Sequence, residues 1–215
     1  AFDIMEKYFP ASKIVLTGNP IRGNIVKGEF SSKTGRAHFK LDENKPTIFV
    51  TGGSLGARVI NEAIAASLDQ LLAGGIQVIW QTGKVYLDQF KHLESENVRV
   101  LDFISRMDAA YAAADIIISR AGGTISELCI IGKPAILLPS PNVAEDHQAK
   151  NVAALRDKGA AVLIKDSEAK EKLGAEILEL IQDEARRNTI AQNIKKLAKP
   201  DAANSIAKEV LSLIK

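Results

Sequence analysis

Cysteine is nearly absent from this sequence: Cys129 stands alone, so no disulfide can form within the chain, which fits a reducing compartment. Cys129 lies in an apolar stretch, where a buried and inert thiol is expected. Long apolar runs are missing too, since nothing approaches the roughly 20 residues needed to span a bilayer. The opening Ala1-Phe2-Asp3-Ile4 lacks the basic start and apolar core of a signal peptide, and it does not begin with Met, so the sequence reads as a fragment or a processed product. Neither sign of charge is in excess. Lys and Arg number 28 against 26 Asp and Glu, and the resulting net charge of +2 is too small to argue for nucleic acid. Basic residues gather only at Lys33, Arg36 and Lys40 and at Arg186, Arg187, Lys195, Lys196 and Lys199. These read as solvated faces, with contact to an anionic membrane surface as the alternative. Internal repeats and low-complexity tracts are also lacking. A hydrophobic fraction of 46% and a charged fraction of 25% describe an ordinary globular chain.

What is present is a regular alternation. Residues 1–12 read as a connector closed by Pro10, and 13–17 as a short strand stopped by Gly18-Asn19-Pro20. Residues 22–45, with weak periodicity, read as helical pieces and loops. From Thr47 the pattern sharpens. Strand 47–51 precedes a helix with Ile60, Ile64 and Leu68 on one face, stopped at Gly74-Gly75. Strand 76–81 precedes a helical stretch over 85–93. Strand 98–101 leads to a helix opened by Ser105 and Asp108 at capping-box spacing. Strand 115–119 precedes a short helix closed by Gly132. Strand 135–139, a loop of about eight residues, a helix over 146–158 and strand 161–164 complete the series, and three helical stretches follow, the last two separated by Pro200. The strands are continuously apolar, hence buried on both faces in a parallel sheet with helices on each side. Right-handed crossovers then favour a doubly wound, Rossmann-like six-stranded α/β sheet with C-terminal helices.

Two of the strand-to-helix turns are rich in glycine: Gly52-Gly53-Ser54-Leu55-Gly56-Ala57-Arg58 and Ala121-Gly122-Gly123-Thr124-Ile125-Ser126-Glu127. Such a turn presents free backbone N–H groups at the positive end of a helix, a site for phosphate or another anion. In the common strand order 3-2-1-4-5-6, these turns follow the two strands that flank the point where the order reverses, and ligands bind in that crevice. A diphosphate is the expected occupant. The first turn is not G-x-G-x-x-G, and the second strand ends Trp80-Gln81-Thr82-Gly83 without an acid for an NAD ribose. No G-x-x-x-x-G-K-[ST] occurs either, which excludes a P-loop. The competing reading is that the glycines only let strand and helix pack closely.

The set Gly18-Asn19-Pro20-Ile21-Arg22, Gly52 to Ala57, Arg120 to Glu127 and Asp146-His147-Gln148-Ala149-Lys150-Asn151 resembles the MurG family, in motif, order and spacing. These are UDP-N-acetylglucosamine transferases of bacterial peptidoglycan synthesis. The likeness covers only that family's C-terminal, donor-binding half, one of two Rossmann-like domains in the GT-B arrangement. It implies a linker and strand remnant over 1–21, a UDP-sugar-binding domain over 22–199, and a helix over 200–215 packing toward an N-terminal domain outside this chain. It further implies that Ser54 and the N–H groups of Gly122, Gly123 and Thr124 hold the donor diphosphate, with Ile125 and Ser126 in the same turn. The Ile104 backbone would read uracil, Glu127 would accept both ribose hydroxyls, and Gln148, with or without His147, would bind the sugar. Arg22 and Asn151 would line the site.

Each of these has a structural competitor. Thr124 and Glu127 have capping-box spacing, Asp146 and His147 suit a helix start, Arg22 suits a surface or helix-start position, and Arg58 and Arg120, near the phosphates on this reading, suit ion pairs. The resemblance implies transfer of GlcNAc from UDP-GlcNAc to lipid I, forming lipid II, with inversion, at the cytoplasmic face of the bacterial inner membrane. The acceptor would be held by the N-terminal domain, and this half alone is expected to be inactive. No D-x-D pair stands ready for a divalent cation, so neither metal nor cofactor is expected, and no catalytic residue is assigned within this chain. Three alternatives remain: a non-catalytic UDP-sugar-binding subunit of a two-subunit glycosyltransferase, a related UDP-sugar transferase with a lipid acceptor, and a UDP-GlcNAc epimerase.

Overall fold

The computed structural model describes residues 8–141 and 147–214, with backbone alone for 147–151. Its centre is a six-stranded sheet in the order β3-β2-β1-β4-β5-β6. The strands are β1 (Thr47–Thr51), β2 (Gln77–Gln81), β3 (Val98–Leu101), β4 (Ile116–Ser119), β5 (Ala135–Leu137) and β6 (Val162–Leu163). All five pairings are parallel. The doubly wound fold expected from the apolar strands is therefore present, with the reversal between β1 and β4.

Alternate side chains leave each strand on opposite faces, and the two faces build two cores. On one, Ile48, Val50, Val78 and Trp80 pack against α3 (Arg58–Ala73) and α8 (Ala169–Gln182). Ile60, Ile64 and Leu68 of α3 are buried there, each worth roughly 1.5–3 kcal/mol when fully removed from water. Gly174 of α8 lets the two helices touch, since an added Cβ would stand 2.5 Å from the Ser67 Cβ. On the other face, Phe49, Ile79 and Ile117 meet Tyr111 of α5 (Met107–Ala113), Leu128 of α6 (Thr124–Ile131), Leu155 of α7 (His147–Asp157) and Ile194 of α9 (Glu184–Lys195). The region 22–45 does form helical pieces, α1 (Gly23–Lys27) and α2 (Ser32–His38). Gly35 brings α2 onto α5, and a Cβ there would lie 2.7 Å from the Ala109 carbonyl oxygen.

Two expectations fail. Residues 13–17 form no strand: a 3-10 turn, Ala11–Lys13, leads into irregular chain, and Val15 and Leu16 are exposed. The segment lies along a cavity wall with residues of α6 and Leu197, and no strand of the sheet pairs with it. The Ser105 cap is not made. Helix α5 starts after Arg106 with no side-chain cap, and the Asp108 carboxylate takes the Arg106 guanidinium at 2.7 Å. A charge-assisted pair outcompetes a neutral cap for that carboxylate, and it holds Asp108 below the usual carboxylate range. The stretch 85–93 is helical as expected, in short pieces: 3-10 turns Lys84–Tyr86 and Lys91–Leu93 on either side of a four-residue α4 (Leu87–Phe90). Of its residues only Phe90 is buried, and Lys91 donates to the Val100 carbonyl and to Glu94.

The chain ends in α10 (Ala202–Ser212), of which only Ala202 is buried, while Val210 and Leu211 are exposed. No helix among the described residues is long and apolar enough to cross a membrane.

Candidate functional site

The last register pairs are Thr51 with Ser119, Thr51 with Gln81, and Gln81 with Leu101. Strands β1 to β4 therefore end level, and the turns after them open on one edge of the sheet. After β1, the glycines divide by role. A Cβ on Gly52 would meet the Ala57 nitrogen at 2.2 Å, and one on Gly56 the Thr82 carbonyl oxygen at 1.9 Å. For those two, close packing is the correct reading. Gly53 differs: its φ is +87° and nothing lies within 4 Å of an added Cβ. With Ser54 exposed beside it, this end of the turn faces open space. Helix α3 begins behind it without a side-chain cap.

After β4, Gly123 opens α6 and no side chain caps that start. The Ile125 and Ser126 N–H groups bond back to the Gly122 and Gly123 carbonyls at 3.2 Å, which leaves the Gly122 to Thr124 end of the turn as the part suited to another acceptor. The nearest atom to a Cβ on Gly123 is Asn19 Nδ2, at 4.0 Å, which places the Gly18-Asn19-Pro20 segment against this turn. A cavity of about 360 Å³ lies there, bordered by Gly122, Gly123, Ile125 and Ser126 on one side and Val15 to Asn19 on the other.

The capping box proposed for Thr124 and Glu127 is not formed. Glu127 instead accepts the Tyr111 hydroxyl on Oε2 at 2.6 Å and the Arg22 guanidinium on Oε1 at 3.3 Å. Arg22, distant in sequence, is thereby brought to the α6 turn. Arg120 faces away from it: its guanidinium pairs with Asp166 and donates to the Leu138 carbonyl at 3.0 Å. Arg58 makes a long, exposed contact of 3.5 Å with Glu62. Cys129 is buried as expected, and burial pushes its thiol up to about 11.

Ile104 sits buried at the turn beyond β3, and its N–H donates to Gln81 Oε1 at 2.9 Å. The same Gln81 amide donates to the Gly53 carbonyl at 3.0 Å and to Thr51 Oγ1 at 3.2 Å. One buried side chain thus ties the glycine turn after β1 to the turn after β3. Gln148 and Asn151 lie on α7, with their side chains outside the described residues, as are His147's side chain and all of Asp146. Ser54, Ile104, Arg22 and the 122–127 turn therefore share the C-terminal edge of the sheet.

Sequence reasoning missed Gln81 and Tyr111. A signal existed for both: Gln81 is a polar side chain closing a strand otherwise buried and apolar, and Tyr111 is a lone aromatic among alanines.

A parallel 3-2-1-4-5-6 sheet with two uncapped helix starts at its switch point defines a Rossmann-like domain, of the kind that makes up one half of a GT-B glycosyltransferase. Residues 47–206 match the glycosyltransferase family 28 C-terminal domain, and the chain belongs to that family. Over its whole length it is 50% identical to the UDP-N-acetylglucosamine--N-acetylmuramyl-(pentapeptide) pyrophosphoryl-undecaprenol N-acetylglucosamine transferase of Cytophaga hutchinsonii, spanning 58% of that relative. It also superposes on the crystal structure of Acinetobacter baumannii MurG with a TM-score of 0.72 at 26% identity, covering 95% of this chain and 58% of that one. A solved UDP-N-acetylglucosamine 2-epimerase shares the fold alone, with a TM-score of 0.60 at 17% identity over 96% of this chain and 53% of the other. The chain thus spans a little over half the length of the proteins it matches.

Proposed function

We propose that this chain is the donor-binding half of an inverting glycosyltransferase that moves GlcNAc from UDP-GlcNAc to lipid I. The observation that carries the reading is the pairing of β1 with β4, which sets the Gly53-Ser54 turn and the uncapped start of α6 at one level of the switch point. Backbone N–H groups at Ser54 and at Gly122, Gly123 and Thr124 bind the diphosphate, with Ile125 and Ser126 completing the turn. Ile104 offers its backbone to uracil; because its N–H already serves Gln81, a base using that N–H must displace the Gln81 oxygen. Glu127 accepts the ribose hydroxyls, with Arg22 beside it. Gln148 and Asn151 complete the sugar end.

In the reaction, the acceptor hydroxyl attacks the anomeric carbon, the bond from that carbon to the diphosphate oxygen breaks, and UDP departs. Preorganised N–H donors and two helix dipoles stabilise the charge that develops on the diphosphate. The proton of the hydroxyl goes to a general base, which this reading places outside the chain together with the acceptor site and contact with the cytoplasmic face of the membrane. The curated relative's name favours this acceptor over another lipid and over epimerisation.

The test is product formation. Supplied with UDP-GlcNAc and lipid I, the chain alone yields no glycosylated product, and the chain preceded by the N-terminal portion of a relative does. Product from the chain alone contradicts the division of labour.

A further inference from the structure

Helix α5 is built from alanines around one large buried ring. Tyr111 is 1% exposed, and its ring stands edge-on to Phe49 of β1, with centroids 5.5 Å apart and planes at 74°. The ring is therefore fixed by the core, and its hydroxyl has a fixed direction. That direction is toward α6, where the hydroxyl donates to Glu127 Oε2 at 2.6 Å. Burial, and after it the Glu127 charge, hold the phenol well above its usual 10, so it stays a donor at any working pH.

Glu127 has a long side chain with several torsions, and only 18% of it is exposed. Its other oxygen meets Arg22 at 3.3 Å, but Arg22 is half exposed and swings on a long stem. Of the two partners, the tyrosine is the rigid one. A carboxylate oxygen accepts two hydrogen bonds, so each oxygen of Glu127 keeps an acceptor position after these contacts. Two acceptor positions on one planar group, held still, match a pair of vicinal hydroxyls and discriminate against a sugar that has lost one of them.

We propose that Tyr111 is a positioning residue whose buried hydroxyl aims the Glu127 carboxylate, so that the site selects a ribonucleotide over its 2′-deoxy counterpart. The inference rests on the ribose role given to Glu127 above and adds what makes that role selective. Tyr111 itself touches no ligand.

The experiment compares UDP with 2′-deoxy-UDP by calorimetry on the chain and on its Tyr111→Phe and Glu127→Ala variants. Thermal melts confirm that the variants are folded. The chain is expected to favour UDP by about tenfold, the worth of one hydrogen bond to a charged group. In Tyr111→Phe, UDP falls to within about threefold of 2′-deoxy-UDP, which keeps only its 3′-hydroxyl contact to Glu127 and so weakens by less than UDP does. Equal weakening of both ligands, or an undiminished gap, overturns the inference, because a merely structural role does not tell the two sugars apart. A gap that survives Glu127→Ala overturns the ribose role and the inference with it. A gap lost in Glu127→Ala but kept in Tyr111→Phe overturns the inference alone. Crystal structures of the unliganded chain and of Tyr111→Phe add a test that needs no ligand: the Glu127 carboxylate is expected to leave its place in the variant, and an unmoved carboxylate contradicts the proposal.

Discussion

The Ile104 N–H and the Gly53 carbonyl, 51 residues apart in sequence and on different turns, are joined through a single side chain, the amide of Gln81. In Gln81→Leu the buried Ile104 N–H loses its acceptor and the Thr51–Gly53 turn loses a donor. Unsatisfied buried groups cost about 1–3 kcal/mol each, so urea unfolding should show a loss of roughly 2–4 kcal/mol. Unchanged stability means that the two turns are held by other contacts.

The two kinds of glycine in the first turn predict different costs. Gly53→Ala meets only backbone strain, since its φ is +87° and its surroundings are open; about 1–2 kcal/mol is expected. Gly56→Ala adds a collision with the Thr82 carbonyl to a φ of +77°. It should cost at least about 3 kcal/mol, or leave no folded protein. Thermal melts of the two variants check the order, and equal losses contradict it.

Lys133 predicts a pH dependence. Its ammonium donates to the Ala112 and Ala114 carbonyls at the C-terminal end of α5, and burial pushes its pKa down to about 8 from the ordinary 10.5. Between those values the unfolded chain binds more protons than the folded one, so this group makes stability rise with pH from about 8 to about 10.5. Urea unfolding of the parent and of Lys133→Met across pH 7–11 should show the parent gaining about 3 kcal/mol over the variant through that window. A constant difference contradicts the assignment.

The sheet was the most legible part of the molecule. Strands such as Ile116 to Ser119 are apolar without interruption because helices cover both faces, and turn glycines mark where each strand stops. Counting strands against the common order then located the switch point. The failures have different causes: one lacked a partner remote in sequence, and the other met a competitor beside it. The stretch 13–17 has strand composition but no strand beside it. Ser105 has cap spacing, but Arg106 claims Asp108. At the site, Glu127 was legible from its place after the switch-point strand, whereas the buried hydroxyl that holds it comes from Tyr111 on another helix. The side chains of Gln148 and Asn151 lie outside the described residues, and their roles stand on resemblance.

The most direct measurement is a calorimetric titration of this chain with UDP-GlcNAc, UDP-GalNAc and UDP-glucose, with and without magnesium, repeated on Glu127→Ala and Ser54→Ala. A donor site built from backbone N–H groups and Glu127 predicts binding that favours UDP-GlcNAc, does not depend on the metal, and weakens about tenfold or more in Glu127→Ala. A folded chain that binds none of the three, or that binds them equally well without Glu127 and Ser54, contradicts the account.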